Sequence, residues 1–198
     1  MSDWLYSDIV QEHFMNPKNV LDVPEDEFSP DGRGLVGNVQ CGDQMLVVIK
    51  VENDMIIDCR WKTYGCASAI ASTSMLSEAV KGMHIKDAYK ITPDQIVERL
   101  GGLPEHKIHC SVLGDKALRA AIEDYLKRTG REGEIEKQAA KVVCNCLNIT
   151  EQDIESMVRD HGVRTWEELQ EHTKIGTVCG KCKPKADELL HQFTHLYG

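Results

Sequence analysis

The sequence predicts an α+β fold in two parts, a three-stranded antiparallel sheet packed with helices followed by a small helical domain. Strand-like segments follow one another at Gly34–Val39, Gln44–Val51 and Met55–Tyr64, and the last two flank Glu52-Asn53-Asp54, a hairpin turn. After Gly65 the pattern becomes helical, with Ala67 to Val80 rich in Ala, Met and Leu and closed by Lys81-Gly82. A charged stretch from Thr129 to Lys141 carries Gly130 and Gly133 and little apolar pattern, so it reads as a linker. The expected domains are therefore residues 1–128 and 142–198, with 129–141 between them.

The remaining elements follow from period and punctuation. Asp3 to Phe14 reads as a first helix through Leu5, Ile9, Val10 and Phe14, stopped by Asn16-Pro17. A loop containing Gly, Pro and Asp runs to about Arg33. In Met55–Tyr64 the alternation places Ile57, Cys59 and Trp61 on one face and Asp58, Arg60 and Lys62 on the other. Short helices are expected at Ile85–Tyr89 and Pro93–Leu100, the second closed by Gly101-Gly102 and Pro104, and a longer one at Ser111 to Arg128. In the second part, helices are expected at Glu151–Arg159, Thr165–Glu171 and Pro184–Leu196, with Thr150 and Asp153 forming a capping box. A domain of this size has a thin core, and a bound metal would help it fold.

Composition narrows the function classes. The chain has 198 residues and a formal net charge of -9, which repels nucleic acid phosphates, and no Lys/Arg-rich run offsets it. Met1-Ser2-Asp3-Trp4 lacks the basic and apolar regions of a secretory signal. The longest uncharged stretch, Thr63 to Ser77, is too short to span a bilayer. A cytoplasmic protein without nucleic acid or membrane partners is expected.

There are eight cysteines, and in a reducing compartment clustered thiols point to metal ligation before disulfides. In the first part, Cys41 and Asp43 share the turn between the first two strands. Cys66 sits where the third strand meets a helix, and His109-Cys110 precedes the long helix. Three thiolates with a carboxylate or imidazole make a four-coordinate site for iron or zinc. A permanent cluster normally takes four thiolates, so a harder fourth ligand leaves a replaceable position suited to assembly and release. Cys59 shares the face of Trp61 and reads as a core thiol. His84, His106, His161 and His172 read as surface residues. In the second part, Cys144-Asn145-Cys146 and Cys179-Gly180-Lys181-Cys182 bring four thiolates to one ion or one small cluster. An extended segment would point Cys144 and Cys146 to one side, and Gly176 and Gly180 would let backbone N–H groups approach sulfur. Spacing leaves zinc and 2Fe–2S both open.

The segments Cys41-Gly42-Asp43, Tyr64-Gly65-Cys66-Ala67-Ser68-Ala69-Ile70-Ala71-Ser72 and Lys107-Ile108-His109-Cys110-Ser111 resemble the NifU/IscU iron–sulfur scaffold. So do Tyr6-Ser7, His13-Phe14 and Asn16-Pro17-Lys18-Asn19. The resemblance covers roughly residues 1–128. It implies a transient cluster on Cys41, Cys66 and Cys110 with Asp43 and His109 as further ligands, and sulfur passed as persulfide from a cysteine desulfurase of the NifS/IscS type. Cys110, beside His109 at a helix start, is the expected persulfide acceptor. The family also implies apo-protein acceptors and a homodimer. Leu103-Pro104-Glu105-His106-Lys107 partly matches the segment that IscU-type proteins present to a DnaK-type chaperone. Residues 142–190 resemble the bacterioferritin-associated-ferredoxin type of domain, which implies a permanent 2Fe–2S cluster on Cys144, Cys146, Cys179 and Cys182. The order of the two parts resembles that of NifU, and a NifU-like protein shortened by the third, C-x-x-C-bearing domain is expected.

The expected function is thus a scaffold and cluster carrier, not an enzyme. A zinc-dependent sulfur acceptor of the SufU type is the first rival. It tends to replace the histidine before the last Cys and to insert residues ahead of it, whereas His109 is present here. An electron-transfer or iron-sensing module is the second rival, and it leaves the first constellation without a purpose.

Overall fold

The computed structural model describes residues 6–38, 43–104, 108–134 and 141–197, without the side chains of residues 38, 43 and 108–111. The chain divides into two compact units, one made of Met1–Val36 and Gly42–Glu136 and the other of Gly37–Cys41 and Lys137–Gly198. Among the described residues no helix is long and apolar enough to cross a membrane.

The first unit opens with α1 (Asp8–Met15) and a single turn, α2 (Glu25–Phe28). Strands β1 (Gly32–Asn38), β2 (Asp43–Glu52) and β3 (Met55–Thr63) form the expected antiparallel sheet in the order β1-β2-β3. Helices α3 (Ala67–Val80), α4 (Ile85–Ala88), α5 (Pro93–Arg99) and α6 (Ile108–Arg128) follow. The first helix begins at Asp8, later than the apolar period suggested. Ser7 is its N-cap, accepting from Val10 N–H at 3.2 Å and donating to the Leu100 carbonyl, so its extended backbone stops the helix there.

The β2–β3 hairpin closes on Asn53 (φ 51°) and Asp54 (φ 61°), with Glu52 opposite Met55. Two successive positive φ values make a two-residue turn whose twist matches the strands, and Asn and Asp tolerate them better than other side chains. Beyond the turn the alternation expected for β3 holds at Cys59 and Trp61 and fails at Ile57. Val51 pairs with Ile56 while Lys50 pairs with Asp58, so Ile57 is an extra residue, a β-bulge. The bulge turns Ile57 outward at 53 % exposure and puts Ile56 fully inside.

Strand β2 is central and is covered on both faces. Leu46 and Val48 pack with Leu21, Val23 and Phe28. The alternate residues Met45, Val47 and Ile49 are buried on the opposite face, in register with Thr63, Trp61 and Cys59. Helix α6 packs on β2 and α3, and it lies close along β1. A Cβ on Gly34 would sit 1.9 Å from the Ala117 carbonyl oxygen, and one on Gly32 would sit 2.2 Å from that of Ala121. Gly114 likewise leaves room for Thr73 of α3, whose hydroxyl would be 2.9 Å from an added Cβ.

The second unit holds a two-stranded hairpin, β4 (Val142–Cys144) and β5 (Ile149–Thr150), then α7 (Glu151–His161), α8 (Trp166–Thr173) and α9 (Lys183–Tyr197). The capping box is present: Thr150 Oγ1 accepts from Asp153 N–H, and Asp153 Oδ2 accepts from Thr150 N–H at 2.8 Å. Its apolar core is small, centred on Ile154, Val158, Leu169, Ile175, Ala186, Leu190 and Phe193. Arg164 ties the helix ends together, donating to the carbonyls of Val158, Val163 and Tyr197.

Candidate functional site

Four of the sequence-derived positions in the first unit, Asp43, Cys66, His109 and Cys110, lie toward one end of the fold. Met45 pairs with Thr63, so Asp43, at the start of β2, and Cys66, three residues beyond Thr63, lie at the same end of the β2–β3 ladder. Cys66 is the N-cap residue of α3, with extended backbone (φ -70°, ψ 170°). Along β1, Gly32 faces Ala121 and Gly34 faces Ala117, so strand and helix run in opposite directions. The N-terminus of α6 therefore points to the end where β1 closes and β2 begins. His109 and Cys110 lie within the first turn of α6, one turn earlier than the period suggested, because the helix starts at Ile108 rather than Ser111. Helix starts carry backbone N–H groups without intrahelical acceptors, an arrangement that suits anionic sulfur at Cys66, the N-cap of α3. Cys41 lies outside the described residues, as do His106 and the Glu105–Lys107 segment.

Other motif residues turn out to be structural. His13 is buried, its Nδ1 2.8 Å from Ser74 Oγ, and burial holds its pKa below the ordinary value. Ser74 Oγ also accepts from Lys18 N–H at 2.8 Å, and the Lys18 carbonyl accepts from Trp61 Nε1 at 2.8 Å. Asn19 donates to Ser77 Oγ at 3.0 Å. This chain fastens the N-terminal segment to α3, whose Ser68, Ser72, Thr73, Ser74 and Ser77 are all buried. Cys59 is 1 % exposed, and burial pushes its thiol up to about 12, so it is an inert core group. His161 and His172 are exposed as expected, and His84 N-caps α4 through Nδ1.

In the second unit the four cysteines converge, in a different way from the extended-strand expectation. Cys144 ends β4 and is buried, whereas Cys146 lies in the turn to β5 and is exposed. The turn, completed by Asn148 at φ 52°, breaks the two-residue alternation. The thiols pair crosswise: Cys146 Sγ lies 3.4 Å from Cys179 Sγ, and Cys144 is hydrogen-bonded to Cys182. One pair is solvent-facing and the other is inside.

Burial raises Cys144, but the N–H groups of Gly176, Leu147 and Cys146 and the Cys182 thiol outweigh it, leaving Cys144 below its ordinary value. Burial and the neighbouring Cys144 raise Cys182. Cys179 is lowered chiefly by the Lys181 N–H and the Cys146 thiol, and Cys146 is raised by sharing its proton with Cys179. Thus Gly176 supplies an N–H to sulfur as expected, and Lys181 does so where Gly180 was expected to. Trp166 had not been singled out from the sequence. Its ring lies 2.8 Å from where a Gly176 Cβ would stand, so Gly176 is held against it at φ 76°.

Two sulfur pairs suit a group with two irons, each taking two thiolates. Among the described residues, no set of three or more Cys, His, Asp or Glu is grouped to hold a single ion. The donor set, with N–H groups directed at sulfur, fits a 2Fe–2S group.

Fold and thiol geometry together define a two-part protein of the metal–thiolate class, with thiols at helix starts in an α+β unit and four thiols in a helical one. The family model described as NifU-like N terminal domain matches residues 5–132, and the BFD-like [2Fe-2S] binding domain matches residues 142–192. The chain belongs to the NifU/IscU family. It is 40% identical over 192 residues to the nitrogen fixation protein NifU of Trichormus azollae, covering 94% of this chain and 63% of that protein. It is 52% identical over 134 residues to the iron-sulfur cluster assembly scaffold protein IscU of Aquifex aeolicus, covering 67% and 83%. Against IscU 1 of Archaeoglobus fulgidus, identity is 47% over 133 residues, covering 67% and 84%. The chain spans less than two thirds of the NifU relative it matches.

Proposed function

We propose that residues 1–128 form a scaffold on which a transient iron–sulfur cluster is assembled at Cys41, Asp43, Cys66, His109 and Cys110, for transfer to apo-proteins. In this reading residues 142–198 hold a resident 2Fe–2S group on Cys144, Cys146, Cys179 and Cys182, joined through residues 129–141. The observation that carries it is the convergence of Asp43, Cys66 and the first turn of α6 at one end of the fold.

The chain's own chemistry then follows. A scaffold thiolate, Cys110 in our assignment, attacks the outer sulfur of a desulfurase cysteine persulfide. The S–S bond of the donor breaks, the desulfurase thiolate leaves, and the persulfide passes to the scaffold. Two electrons, delivered one at a time by an external reduced one-electron carrier, cleave that S–S bond, so the outer sulfur leaves as sulfide and the scaffold thiolate is restored. Asp43 is the hard ligand among soft ones, so it is the position where an acceptor thiolate enters. Cys146 and Cys179 present the second site to solvent, while Cys144 and Cys182 anchor it in the small core. A bound 2Fe–2S group supplies one-electron redox chemistry there.

The test is anaerobic reconstitution with Fe(II), cysteine and a cysteine desulfurase. Chelator-sensitive absorbance should appear on top of a stable 2Fe–2S spectrum. Cys66→Ala or Cys110→Ala should remove only the sensitive increment, and Cys146→Ser only the stable spectrum. A colourless protein containing zinc alone would sink the assignment.

A further inference from the structure

We infer that the exposed face formed by residues 145–148 and 177–181 is the docking surface for a small acidic one-electron carrier protein, with the electron entering at the Cys146–Cys179 edge. This rests on the proposed 2Fe–2S reading of the second unit and adds the partner's chemistry and its point of contact.

The four thiols are not equivalent. Cys146 and Cys179 are exposed and Cys144 and Cys182 are buried, so a group bound between them reaches solvent on one side only. The turn 145–148 and the loop 177–181 meet at the 3.4 Å Cys146–Cys179 contact, and every residue in both is exposed. Each exposed cysteine has an exposed aliphatic neighbour: Leu147 is 38 % and Val178 66 % exposed. Uncovered branched side chains beside a redox-capable edge make an apolar centre for a transient interface.

In the two segments that carry that centre, every charged residue is a lysine. Residues 174–186 contain Lys174, Lys181, Lys183 and Lys185 and no acid, and residues 142–150 contain no charge, in a chain whose net charge is -9. Spread over a cysteine motif, these lysines do not read as a basic run in the sequence. Lys183 is paired with Asp187 at 3.2 Å and Lys185 with Glu188 at 3.0 Å. Lys174 Nζ donates to the Glu171 carbonyl, which keeps its charge at the loop, and Lys181 is exposed between the two cysteines of its motif. A positive rim around an apolar centre steers an acidic protein in the right orientation and speeds encounter at low ionic strength. Such a partner suits a chain that is otherwise acidic, because repulsion elsewhere leaves this face as the favoured approach. The step balances as one electron lost by the reduced carrier and one gained at the second site, with no bond made or broken.

Flavodoxin is a suitable acidic probe. Its hydroquinone should reduce the purified full chain in stopped-flow mixing with a second-order rate that falls as salt is added. Lys174→Glu/Lys181→Glu should slow this tenfold or more at low ionic strength, flatten the salt dependence, and weaken calorimetric binding of oxidised flavodoxin in parallel. The 2Fe–2S spectrum and the rate of reduction by dithionite should not change, and Lys86→Glu in the first unit should have no effect. Unchanged flavodoxin binding and rate in the double variant, with an intact spectrum, overturns the docking surface alone. Absence of any 2Fe–2S spectrum in the parent overturns the underlying reading and the electron entry with it. If the double variant loses binding only to anionic phosphatidylglycerol vesicles, the charge serves a membrane surface and the inference is wrong.

Discussion

Replacing Gly34 by alanine tests how the fold positions the scaffold site. The added methyl would lie 1.9 Å from the Ala117 carbonyl oxygen and 2.6 Å from the Ala121 nitrogen, both backbone atoms of α6. Ordinary contact needs about 3.5 Å, so strand and helix must part by more than about 1 Å, and no rotamer change can absorb it. Overpacking of this kind costs about 1–3 kcal/mol, and a backbone collision belongs at the upper end. With a urea slope of about 2 kcal/mol/M, a loss of about 3 kcal/mol lowers the midpoint by about 1.5 M. Because α6 carries His109 and Cys110 in its first turn, reconstitution of the chelator-sensitive cluster should slow as well. Gly82→Ala is the matched control. Gly82 has φ 77° but open space around its Cβ, so only backbone strain of about 1 kcal/mol is expected. Gly34→Ala within about 0.5 kcal/mol of the parent, or no worse than Gly82→Ala, would refute the close approach of β1 and α6.

Three further outcomes are expected. Gly176→Ala should release the resident 2Fe–2S group faster, because φ 76° and the Trp166 ring at 2.8 Å both oppose a Cβ; Trp166→Leu in the same chain should restore part of the retention, read by absorbance after gel filtration. Asp115 is buried, which lifts its carboxyl from 3.8 to about 7, while Arg119 at 3.4 Å pulls it down. Between those values the native chain keeps a proton that the unfolded chain has lost, so the contribution of this group to stability is full below about pH 4 and is lost as pH rises to about 7. Asp115→Asn should remove that slope, worth at most about 4 kcal/mol, in urea melts taken from pH 4 to 8. Asp43→Ala should slow cluster transfer to an apo-ferredoxin, and faster transfer would show that the carboxylate retains the cluster instead of opening the site.

Local patterns in the sequence determined much of this protein. Successive alternating segments and Asn53-Asp54 specified the hairpin, and the Ala-rich run from Ala67 to Val80 specified α3 to the residue. The cysteine spacings marked both constellations, and the motifs around Cys41, Cys66 and Cys110 marked the family. These features are legible because each is set by neighbours within a few residues: a turn needs φ above zero, a cap needs a side-chain acceptor, and a pair of thiols needs a short loop. What depended on distant partners was decided only in three dimensions. Ile57 faces out because a bulge shifts the β2–β3 register at Lys50/Val51, and no local signal distinguishes it from Ile56. Gly32 reads as a loop residue and Gly34 as the first of a strand, and neither shows its close approach to a helix until α6 is laid against them. His13 carries part of the family resemblance in the sequence, and only the fold makes it a buried tie to Ser74, 61 positions away in the chain. The C-x-C and C-x-x-C motifs predicted four thiols at one point, yet the crosswise pairing of Cys146 with Cys179 and Cys144 with Cys182 arises from the β4–β5 turn meeting the loop before α9. Contacts between residues far apart in the chain obey packing and hydrogen-bond satisfaction in space, which no window along the sequence contains.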